Sequence, residues 1–364
     1  MSWNSPIPGG QPSVIEKLSV VKFGGSSVKN HFWSALKLVE YLLDGGRLVV
    51  VVSALRGVTE KLLRLSEWPD WDVYESIVLE HSIIADRLGA EIDPLLRELE
   101  AAVARRRYDP VWRDYILSFG ERLSAVLLAQ ALKNEGIPAV SVDAWSVLML
   151  KGNFGSAEVD FERSLPHAVK LREAARDTVP VVTGFIGNLN GRVATLGRGG
   201  SDYTASALGR LLDARAVLIM SDVRGIYTAD PRLVPGARLF HFISRERALL
   251  AAKLGMKALH PRTLEPIDGI PLILGKTEDW RLGTLVSDFG DEWPIVTYRT
   301  EGEMAHIFVV GVEEVPGWHG KRGSGYFSIT VEREELAPVL REIHGVVFDE
   351  SSGSRHYSEL WARV

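Results

Sequence analysis

The sequence predicts an α/β protein in which helices sandwich a mainly parallel central sheet, followed by a small α+β appendage. Short segments of continuous rather than alternating apolar residues are typical of parallel strands that are buried on both faces. These segments alternate with stretches of helical periodicity, which is the pattern of a doubly wound sheet. Composition changes near residues 281–284, and a separate group of strands with one helix is predicted after that point.

The first predicted strand is the apolar run LSVVKF at 18–23, and the second is the valine-rich run that ends at Ser53. Each gives way to polar or glycine-rich residues and then to a helical pattern, so a ligand is expected at the carboxyl edge of the sheet. The predicted elements of this part are strands at 18–23, 47–53, 139–143, 179–183 and 216–220, and helices at 32–43 and within 73–134 with an interruption near 108–110.

The remaining chain divides into a polar tail and the appendage. The tail covers residues 1–17, the main domain covers 18–288, and the appendage covers 300–364. The elements predicted for the appendage are strands at 306–312, 326–331 and 346–348, a glycine-rich loop at 317–325, and a helix at 334–344.

Composition excludes several classes of function. The formal net charge is -5, which argues against a nucleic-acid scaffold or a basic membrane-surface protein. Apolar runs are far shorter than the ~20 residues that span a bilayer, and the first residues do not resemble a signal peptide, so a cytoplasmic protein is expected. With 0 cysteines and 9 scattered histidines, disulfides and thiolate chemistry are excluded, and no metal-ligating residues are predicted.

The first glycine-rich turn, KFGGSS at residues 22–27, places Lys22 at the end of a buried strand directly before Gly24, Gly25 and Ser26. A lysine there can act as a point charge on phosphate oxygens, while the glycines let the backbone approach a phosphate. The alternative is a solvated lysine beside an ordinary turn.

The second glycine-rich turn, LGRGGSD at residues 196–202, also leads into a helical pattern. Backbone N–H groups at a helix N-terminus can receive an anion. Arg198 offers a planar fork for a carboxylate, and Asp202 could orient Lys22 or a magnesium-bound oxygen. Both signs of charge in one turn suggest a site that handles a polyphosphate beside a charged small molecule.

Three further residues are candidates for binding that small molecule. Ser53 and Thr59 follow the second strand and could hydrogen-bond a carboxylate, or could merely cap the turn and the next helix. Glu121 follows Gly120 in a helical segment, where a glycine often marks the close approach of another group. Its carboxylate could hold an ammonium, or it could lie on the surface.

The segment SDVRGIYTADPR at residues 221–232 follows another buried strand. Tyr227 could stack on a base and Arg232 could reach phosphates, or the tyrosine could simply pack beside a proline-ended loop. Lys257 could be a second phosphate lysine or an ordinary surface residue of a helix.

Seven segments in chain order resemble the motifs of aspartokinase, in the amino-acid kinase superfamily. They are KFGGSS, VVSA, FGERLS, VTGFIG, LGRGGSD, SDVRGIYTADPR and GMKALHPRT, and they extend over about residues 20–286. The resemblance implies the amino-acid kinase fold, with an aspartate-binding lobe at about 18–195 and a nucleotide-binding lobe at about 196–288. It also implies transfer of a phosphoryl group from ATP, with Mg²⁺, to the β-carboxylate of L-aspartate.

The resemblance also implies a role for each matching residue. The catalytic residues would be Lys22 and Asp202. Aspartate would be surrounded by Ser53, Thr59, Glu121, Phe185, Arg198 and Ser201, with Glu121 facing its ammonium and Arg198 its α-carboxylate. The nucleotide would be bound by Lys22, Gly24, Gly25, Ser26, Ser221, Asp222, Tyr227, Arg232 and Lys257.

The appendage departs from the family pattern, which usually has two ACT regulatory modules. Proline and glycine breaks at 314–325 disfavour the first ACT helix, so a single truncated ACT-like module is expected. We therefore expect an enzyme of the first step toward lysine, threonine and methionine, with weak or absent feedback inhibition, that forms a homodimer. The alternatives are a related kinase acting on another carboxylate, or a non-catalytic protein that binds amino acid or nucleotide.

Overall fold

A computed structural model describes residues 18–348 except for residues 106 and 108. The strands are β1 (Leu18–Phe23), β2 (Arg47–Val52), β3 (Ala139–Val142), β4 (Leu150–Lys151), β5 (Glu158–Val159), β6 (Val179–Thr183), β7 (Ile186–Leu189), β8 (Arg192–Thr195), β9 (Ala216–Ser221), β10 (Phe242–Ser244), β11 (Leu272–Lys276), β12 (Leu282–Ser287), β13 (Ile295–Glu301), β14 (Met304–Val310), β15 (Lys321–Gly323) and β16 (Tyr326–Glu332). The helices are α1 (Gly25–Asn30), α2 (Phe32–Leu43), α3 (Val58–Glu67), α4 (Trp71–Leu88), α5 (Asp93–Ala104), α6 (Pro110–Leu117), α7 (Phe119–Asn134), α8 (Phe161–Ala174), α9 (Gly200–Leu211), α10 (Arg245–Lys253), α11 (Pro261–Leu264) and α12 (Leu336–Phe348).

The main sheet has eight strands in the order β10-β12-β11-β9-β1-β2-β6-β3. Strands β3, β6, β2, β1, β9 and β11 all run in parallel, and the one antiparallel pairing among the described strands of this sheet joins β11 to β12. The prediction of a mainly parallel sheet is therefore confirmed. The central position of β1 explains its continuous apolar sequence, since all six of its residues are buried.

Helices cover both faces of the main sheet. Along β2, Val49 and Val51 belong to one apolar cluster, whereas Val50 and Val52 belong to the other. The first cluster also contains residues of α8, α9 and α10, and the second contains residues of α2 to α7. The predicted helical stretch at 73–134 is divided into α4 to α7, and the expected interruption lies between α5 and α6. No helix in the described part of the chain is long and apolar enough to cross a bilayer.

The C-terminal region is a four-stranded antiparallel sheet in the order β13-β14-β16-β15, with α12 packed on one face. The strand predicted at 346–348 is wrong, because α12 continues to Phe348. Leu336, Leu340 and Ile343 form a buried helical stripe against the sheet, and this packing decides the local structure. Within 314–325 the chain forms turns and β15 rather than a helix, as expected.

Two further features of the C-terminal region differ from the sequence expectations. The C-terminal sheet begins with β13, before the expected start at residue 300. The expected glycine-rich loop at 317–325 contains the short strand β15. The predicted tail at 1–17 and the last residues, 349–364, lie outside the described residues.

Candidate active site

The carboxyl ends of the central parallel strands meet at one edge of the sheet, and a cavity of about 660 Å³ opens there. Lys22, near the end of β1, is level with Val51 of β2 and Ile219 of β9. The cavity is lined by Lys22, Ser53, Thr59, Glu60, Leu63, Arg113, Leu117, Glu121, Gly155, Phe185, Thr195, Gly197, Arg198, Gly199, Gly200, Ser201 and Asp202. The fold thus brings together all the residues predicted to be catalytic or to bind aspartate.

Lys22 and Asp202 form an ion pair in this cavity. Nζ of Lys22 lies 2.5 Å from Oδ1 of Asp202, and the lysine is only 8% exposed. A buried charge requires a compensating partner, which Asp202 supplies from the first turn of α9. The contact is ionic rather than an aligned hydrogen bond, since Oδ1 of Asp202 accepts none from the described residues. The pair joins the two glycine-rich turns that the sequence indicated.

Glycines in both turns are required by close backbone contacts. A Cβ atom on Gly25 would lie 2.4 Å from the carbonyl oxygen of Ala54, and one on Gly200 would lie 2.7 Å from the ring of Phe185. Gly199 has a φ of 71°, in the left-handed region that favours glycine. These contacts let the turns approach each other and the loop after β2 without side chains between them.

The second turn is held in place by Arg262, which lies in α11. Its guanidinium donates hydrogen bonds to the carbonyl oxygens of Leu196, at 2.5 Å, and Ala157, at 2.7 Å. The same guanidinium stacks over the ring of Tyr203 in α9, 4.3 Å from its centroid. Arg262, in the HPRT segment at residues 260–263, therefore holds in place the turn that contains Arg198.

Glu121 is almost completely buried at the start of α7, with only 2% exposure. One carboxylate oxygen, Oε1, accepts a hydrogen bond of 3.0 Å from the backbone N–H of Ala54, whereas Oε2 has no hydrogen-bond partner among the described residues. Burial raises the pKa of Glu121 to about 8, although the nearby charge of Lys22 opposes this. An unsatisfied buried carboxylate oxygen that faces a cavity is suited to an incoming cation.

Gly120 explains how Glu121 reaches this position. A Cβ atom at Gly120 would lie 2.6 Å from Cβ of Ala54, so α7 packs directly on the loop that follows β2. The sequence expectation that this helical glycine marks a close approach is confirmed.

Phe185 has an unusual backbone conformation, with a φ of 69°. Non-glycine residues rarely adopt this region, and the strain is retained only when surrounding contacts enforce it. Its N–H donates to Oγ1 of Thr204 at 3.0 Å, and its carbonyl accepts from the N–H of Leu196 at 2.8 Å. These bonds place the phenyl ring against Gly200, at the wall of the cavity.

Several cavity residues were missed by sequence reasoning, among them Arg113, Gly155 and Thr195. They are organised by Asp114 of α6, which is fully buried. Its Oδ2 accepts hydrogen bonds from the N–H groups of Gly155, at 2.7 Å, and Thr195, at 2.8 Å. Burial raises the pKa of Asp114 despite these bonds. In the sequence, Asp114 has the character of an ordinary helix surface charge, so no local signal could have identified it.

A second cavity, of about 330 Å³, lies between the main domain and the C-terminal sheet. It is lined by Asp222, Val223, Gly225, Tyr227, Ala229, Asp230, Pro231, Arg232, Gly255, Met256, Lys257, Ala258, Ile295, Val296, Thr297 and Tyr298. Four of the predicted nucleotide residues are present, namely Asp222, Tyr227, Arg232 and Lys257. The residues of β13 that complete this cavity were not predicted.

The other predicted nucleotide residues shape the surrounding turns. Oγ of Ser221 accepts a hydrogen bond of 3.2 Å from the N–H of Val223 and donates one of 3.1 Å to its carbonyl oxygen. Gly24 joins β1 to α1, Gly25 and Ser26 are the first two residues of α1, and a Cβ atom on Gly24 would lie 3.7 Å from Nζ of Lys22. These three residues do not line the second cavity but adjoin the Lys22 end of the first.

The second cavity contains charges of both signs. Asp230 forms a bidentate pair with Arg232 (Nε–Oδ1 3.0 Å and Nη2–Oδ2 2.9 Å), and Nζ of Lys257 lies 3.9 Å from Oδ2 of Asp230. Burial tends to raise the pKa of Asp230, but the hydrogen bonds from Arg232 and the charge of Lys257 lower it overall. The cavity thus holds two cations, Arg232 and Lys257, and two carboxylates, Asp222 and Asp230, and the two cations are the groups that could contact a ligand phosphate.

Comparison with known proteins gives the family of this chain. The model of the amino acid kinase family matches residues 17–276. Lysine-sensitive aspartokinase 3 of Escherichia coli K12 is 34% identical over 298 residues, which cover 77% of this chain and 66% of that protein. An aspartokinase of Thermus thermophilus is 30% identical over 310 residues, which cover 82% of this chain and 67% of that protein. The chain thus spans about two thirds of the length of these relatives.

Among solved structures, E. coli aspartokinase III in complex with aspartate and ADP, in its R-state, has a TM-score of 0.83 and 25% sequence identity. The match covers 92% of this chain and 100% of that one. The match is therefore longer than residues 17–276, which the family model covers. Because the family model matches more than half of the sequence, the chain belongs to the amino acid kinase family.

Proposed function

We propose that this chain is an aspartate kinase, which transfers the γ-phosphoryl group of ATP to the β-carboxylate of L-aspartate and forms 4-phospho-L-aspartate and ADP. The observation that carries the proposal is the composition of the larger cavity. A candidate ammonium acceptor, Glu121, and a candidate carboxylate ligand, Arg198, lie in the same cavity as the Lys22–Asp202 pair. The aspartokinases to which the chain is similar support the same acceptor.

Recognition of aspartate would depend on a negative side chain for its ammonium group and a positive side chain for its α-carboxylate. The unsatisfied Oε2 of Glu121 would accept a hydrogen bond from the α-ammonium group, which removes the cost of a buried carboxylate without a partner. Arg198 would hold the α-carboxylate through its planar guanidinium. Ser53, Thr59 and Ser201 would supply hydroxyl groups, and Phe185 would close one wall.

The transfer itself needs no general base. An aspartate β-carboxylate is already ionised at pH 7, so its oxygen can attack the γ-phosphorus directly. The new bond joins that oxygen to phosphorus, the bond from phosphorus to the β–γ bridging oxygen breaks, and ADP leaves with the electron pair. Lys22 would neutralise charge on the transferring group, and Asp202 would hold the lysine in place.

The nucleotide would occupy the second cavity and extend toward Lys22. Arg232 and Lys257 would bind phosphate oxygens, Tyr227 would pack against the base, and Asp222 would line the same cavity. Ser221 would act indirectly, since it shapes the turn after β9. Gly24, Gly25 and Ser26 would let the backbone approach the phosphates beside Lys22.

We expect Mg²⁺ to enter as part of the nucleotide complex. In the described residues no group of three or more His, Asp or Glu side chains could form a metal cage. Magnesium in phosphoryl-transfer sites is usually held by substrate phosphates with one or two carboxylates, and Asp202 is a suitable carboxylate in the cavity. When bound, the ion would neutralise charge on the phosphates.

Trapping of the product by hydroxylamine tests the proposal. An acyl phosphate reacts with hydroxylamine to give a hydroxamate, so ATP-dependent hydroxamate formation is expected with L-aspartate. The acceptor panel should include glutamate, N-acetylglutamate and carbamate, and the Lys22→Ala variant serves as the blank. Product from another carboxylate but not from aspartate would show a related kinase. Ligand binding without any product would show a non-catalytic protein.

We further propose that the enzyme lacks ordinary lysine or threonine feedback and forms a homodimer. The turns and short strand at 314–325 stand where the resemblance places an effector-module helix. A feedback inhibitor acts by binding one of two conformations of an enzyme more tightly than the other. Strong inhibition by ~1 mM lysine or threonine would therefore contradict the proposed lack of feedback. Light scattering of the purified chain tests whether it forms a homodimer. Strand β15, at an edge of the C-terminal sheet, provides a surface for such pairing.

A further inference from the structure

The loop that follows β9 is built into the hydrophobic core of the C-terminal sheet. Ala229 and Val234, at either end of the segment that contains Asp230 and Arg232, are buried in the same cluster as Ile307 of β14 and Leu340 of α12. The segment that lines the second cavity therefore depends on the C-terminal domain for its packing.

Hydrogen bonds strengthen this junction. The N–H of Val296 in β13 donates to the carbonyl oxygen of Thr228 at 2.7 Å. Oγ1 of Thr228 lies 2.9 Å from Nε2 of His344 in α12, and both side chains are buried. The guanidinium of Arg341 donates to the carbonyl oxygen of Leu233 at 3.0 Å. The loop is thus fixed at three points by the C-terminal domain.

The same domain contacts Lys257 directly, through Tyr298 of β13. Nζ of Lys257 donates a hydrogen bond of 2.5 Å to the hydroxyl of Tyr298 and lies 4.5 Å from the centroid of its ring. The backbones also touch, since a Cβ atom on Gly255 would lie 2.3 Å from the carbonyl oxygen of Tyr298. The side chain of Lys257 is 56% exposed, and its contacts with Tyr298 and, at 3.9 Å, with Asp230 limit its orientation.

We propose that Tyr298 is a positioning residue for the nucleotide, through which the C-terminal domain orients Lys257 toward the phosphates. Arg232 is the bidentate partner of Asp230, whereas Nζ of Lys257 lies 3.9 Å from that carboxylate, so the ammonium group of Lys257 keeps donors for a ligand phosphate. A free lysine loses considerable rotamer entropy when it binds a phosphate, and a contact that restricts it beforehand reduces this loss. The inference rests on the proposed function only in taking the ligand of this cavity to be ATP or ADP.

The test is direct binding of ADP by titration calorimetry to the full chain. Tyr298→Phe keeps the ring and removes the hydroxyl, and we expect its Kd to rise about 5-fold, the scale of one hydrogen bond. Tyr298→Ala also removes the cation–π contact, and we expect a rise of roughly 10-fold or more. Tyr326→Phe, a tyrosine of the same sheet that packs on Phe308, is the matched control and should bind ADP normally. In turnover, the KM for ATP should rise while kcat and the KM for the acceptor stay unchanged.

A double-mutant cycle separates positioning from general disruption. If Tyr298 acts through Lys257, Tyr298→Phe should have no further effect in a Lys257→Ala background. Three results would each overturn the inference. The first is normal ADP binding by both Tyr298 variants, and the second is an equally large effect of Tyr298→Phe on the Kd for ADP in the Lys257→Ala background. The third is no ADP binding by the wild-type chain. Failure of aspartate phosphorylation with ADP binding intact would instead reject the proposed acceptor and leave the role of Tyr298 standing.

Discussion

The two cavities differ in which parts of the chain build them. The 660 Å³ cavity is formed entirely by strand ends, loops and helices of the main domain, and its charged residues lie at the sheet edge or in helices packed on it. The 330 Å³ cavity is formed half by the loop after β9 and half by residues around Lys257 and β13. Under the proposed function, phosphoryl transfer and acceptor recognition would depend on the main domain, whereas nucleotide affinity would depend on the contact between the main domain and the C-terminal sheet. Substitutions in the two cavities should separate kinetically.

The largest effect is expected from Lys22→Ala. Loss of the cation on the transferring group should lower kcat roughly 10²- to 10³-fold, which is typical for removal of one transition-state electrostatic partner. Steady-state kinetics with saturating ATP and aspartate give the value. Lys29→Ala is the matched control, because Lys29 lies in α1, does not line the cavity, and pairs with Glu80, which keeps Lys61 as a second partner. Near-normal kcat in Lys22→Ala would remove Lys22 from the mechanism.

Arg198→Ala and Arg232→Ala together test the separation of the two cavities. Loss of a charged hydrogen-bonding partner costs about 1.5–3 kcal/mol, which is roughly a 10- to 150-fold change in affinity. We expect Arg198→Ala to raise the KM for aspartate alone, and Arg232→Ala to raise the KM for ATP alone. Arg210→Ala, at the far end of α9, should change neither. Equal effects of either variant on both substrates would contradict the division between the cavities.

The sequence could predict the first cavity well because its signals are local. Glu121, Arg198 and Asp202 each stand beside glycines at a point where a strand or a helix begins or ends. Such spacing reports on close backbone approach, as the contact between Gly120 and Ala54 shows. A local pattern is sufficient when the fold requires only that strand ends meet at one edge of a parallel sheet.

What the sequence could not predict depends on contacts between distant segments. Asp114 organises Gly155 and Thr195 across long separations, and nothing in α6 distinguishes it from a surface aspartate. Tyr298 belongs to a stretch between the predicted domains, so its proximity to Lys257 could not be inferred. The incorrect strand at 346–348 has a related origin, because packing of α12 on the sheet determines that segment.

A smaller effect, specific to the first cavity, is expected from the buried carboxyl of Glu121. With a pKa of about 8, this group is largely protonated at pH 7, and an ammonium group bound to it would lower the pKa. Aspartate binding at pH 7 should therefore release about one proton, whereas ADP binding should release none from this group. Calorimetry in buffers of different ionisation enthalpy measures the release.

Two variants complete this test. Glu121→Gln should abolish the proton release and weaken aspartate binding roughly 10-fold, the scale of one charged hydrogen bond. Glu60→Gln, at the mouth of the same cavity, should leave the release unchanged. A binding enthalpy that does not depend on the buffer would show that the ammonium group of aspartate does not contact Glu121.

The smallest effect is expected on the pH dependence of stability, through the contact between His344 of α12 and Thr228 in the loop after β9. Burial, with a contribution from the charge of Arg238, lowers the pKa of His344 to about 4, compared with about 6.5 in an unfolded chain. The folded state therefore favours the neutral ring that contacts Thr228 and stacks on Phe348. The resulting stability is complete above pH 6.5 and is lost as the pH falls from 6.5 toward 4, with a loss of about 2 kcal/mol by pH 5.

His344→Gln should remove this part of the pH dependence, so its free energy of unfolding should fall less steeply than that of the wild type between pH 6.5 and 5. His306→Gln, in β14 of the same sheet and partly exposed, is the control and should keep the wild-type slope. Denaturant titrations at several pH values measure the slopes. ADP affinity should decline over the same pH range, because His344 helps to hold the loop that contains Arg232, while aspartate affinity need not follow it. A wild-type slope for His344→Gln would show that titration of the buried imidazole does not contribute to the pH dependence of stability.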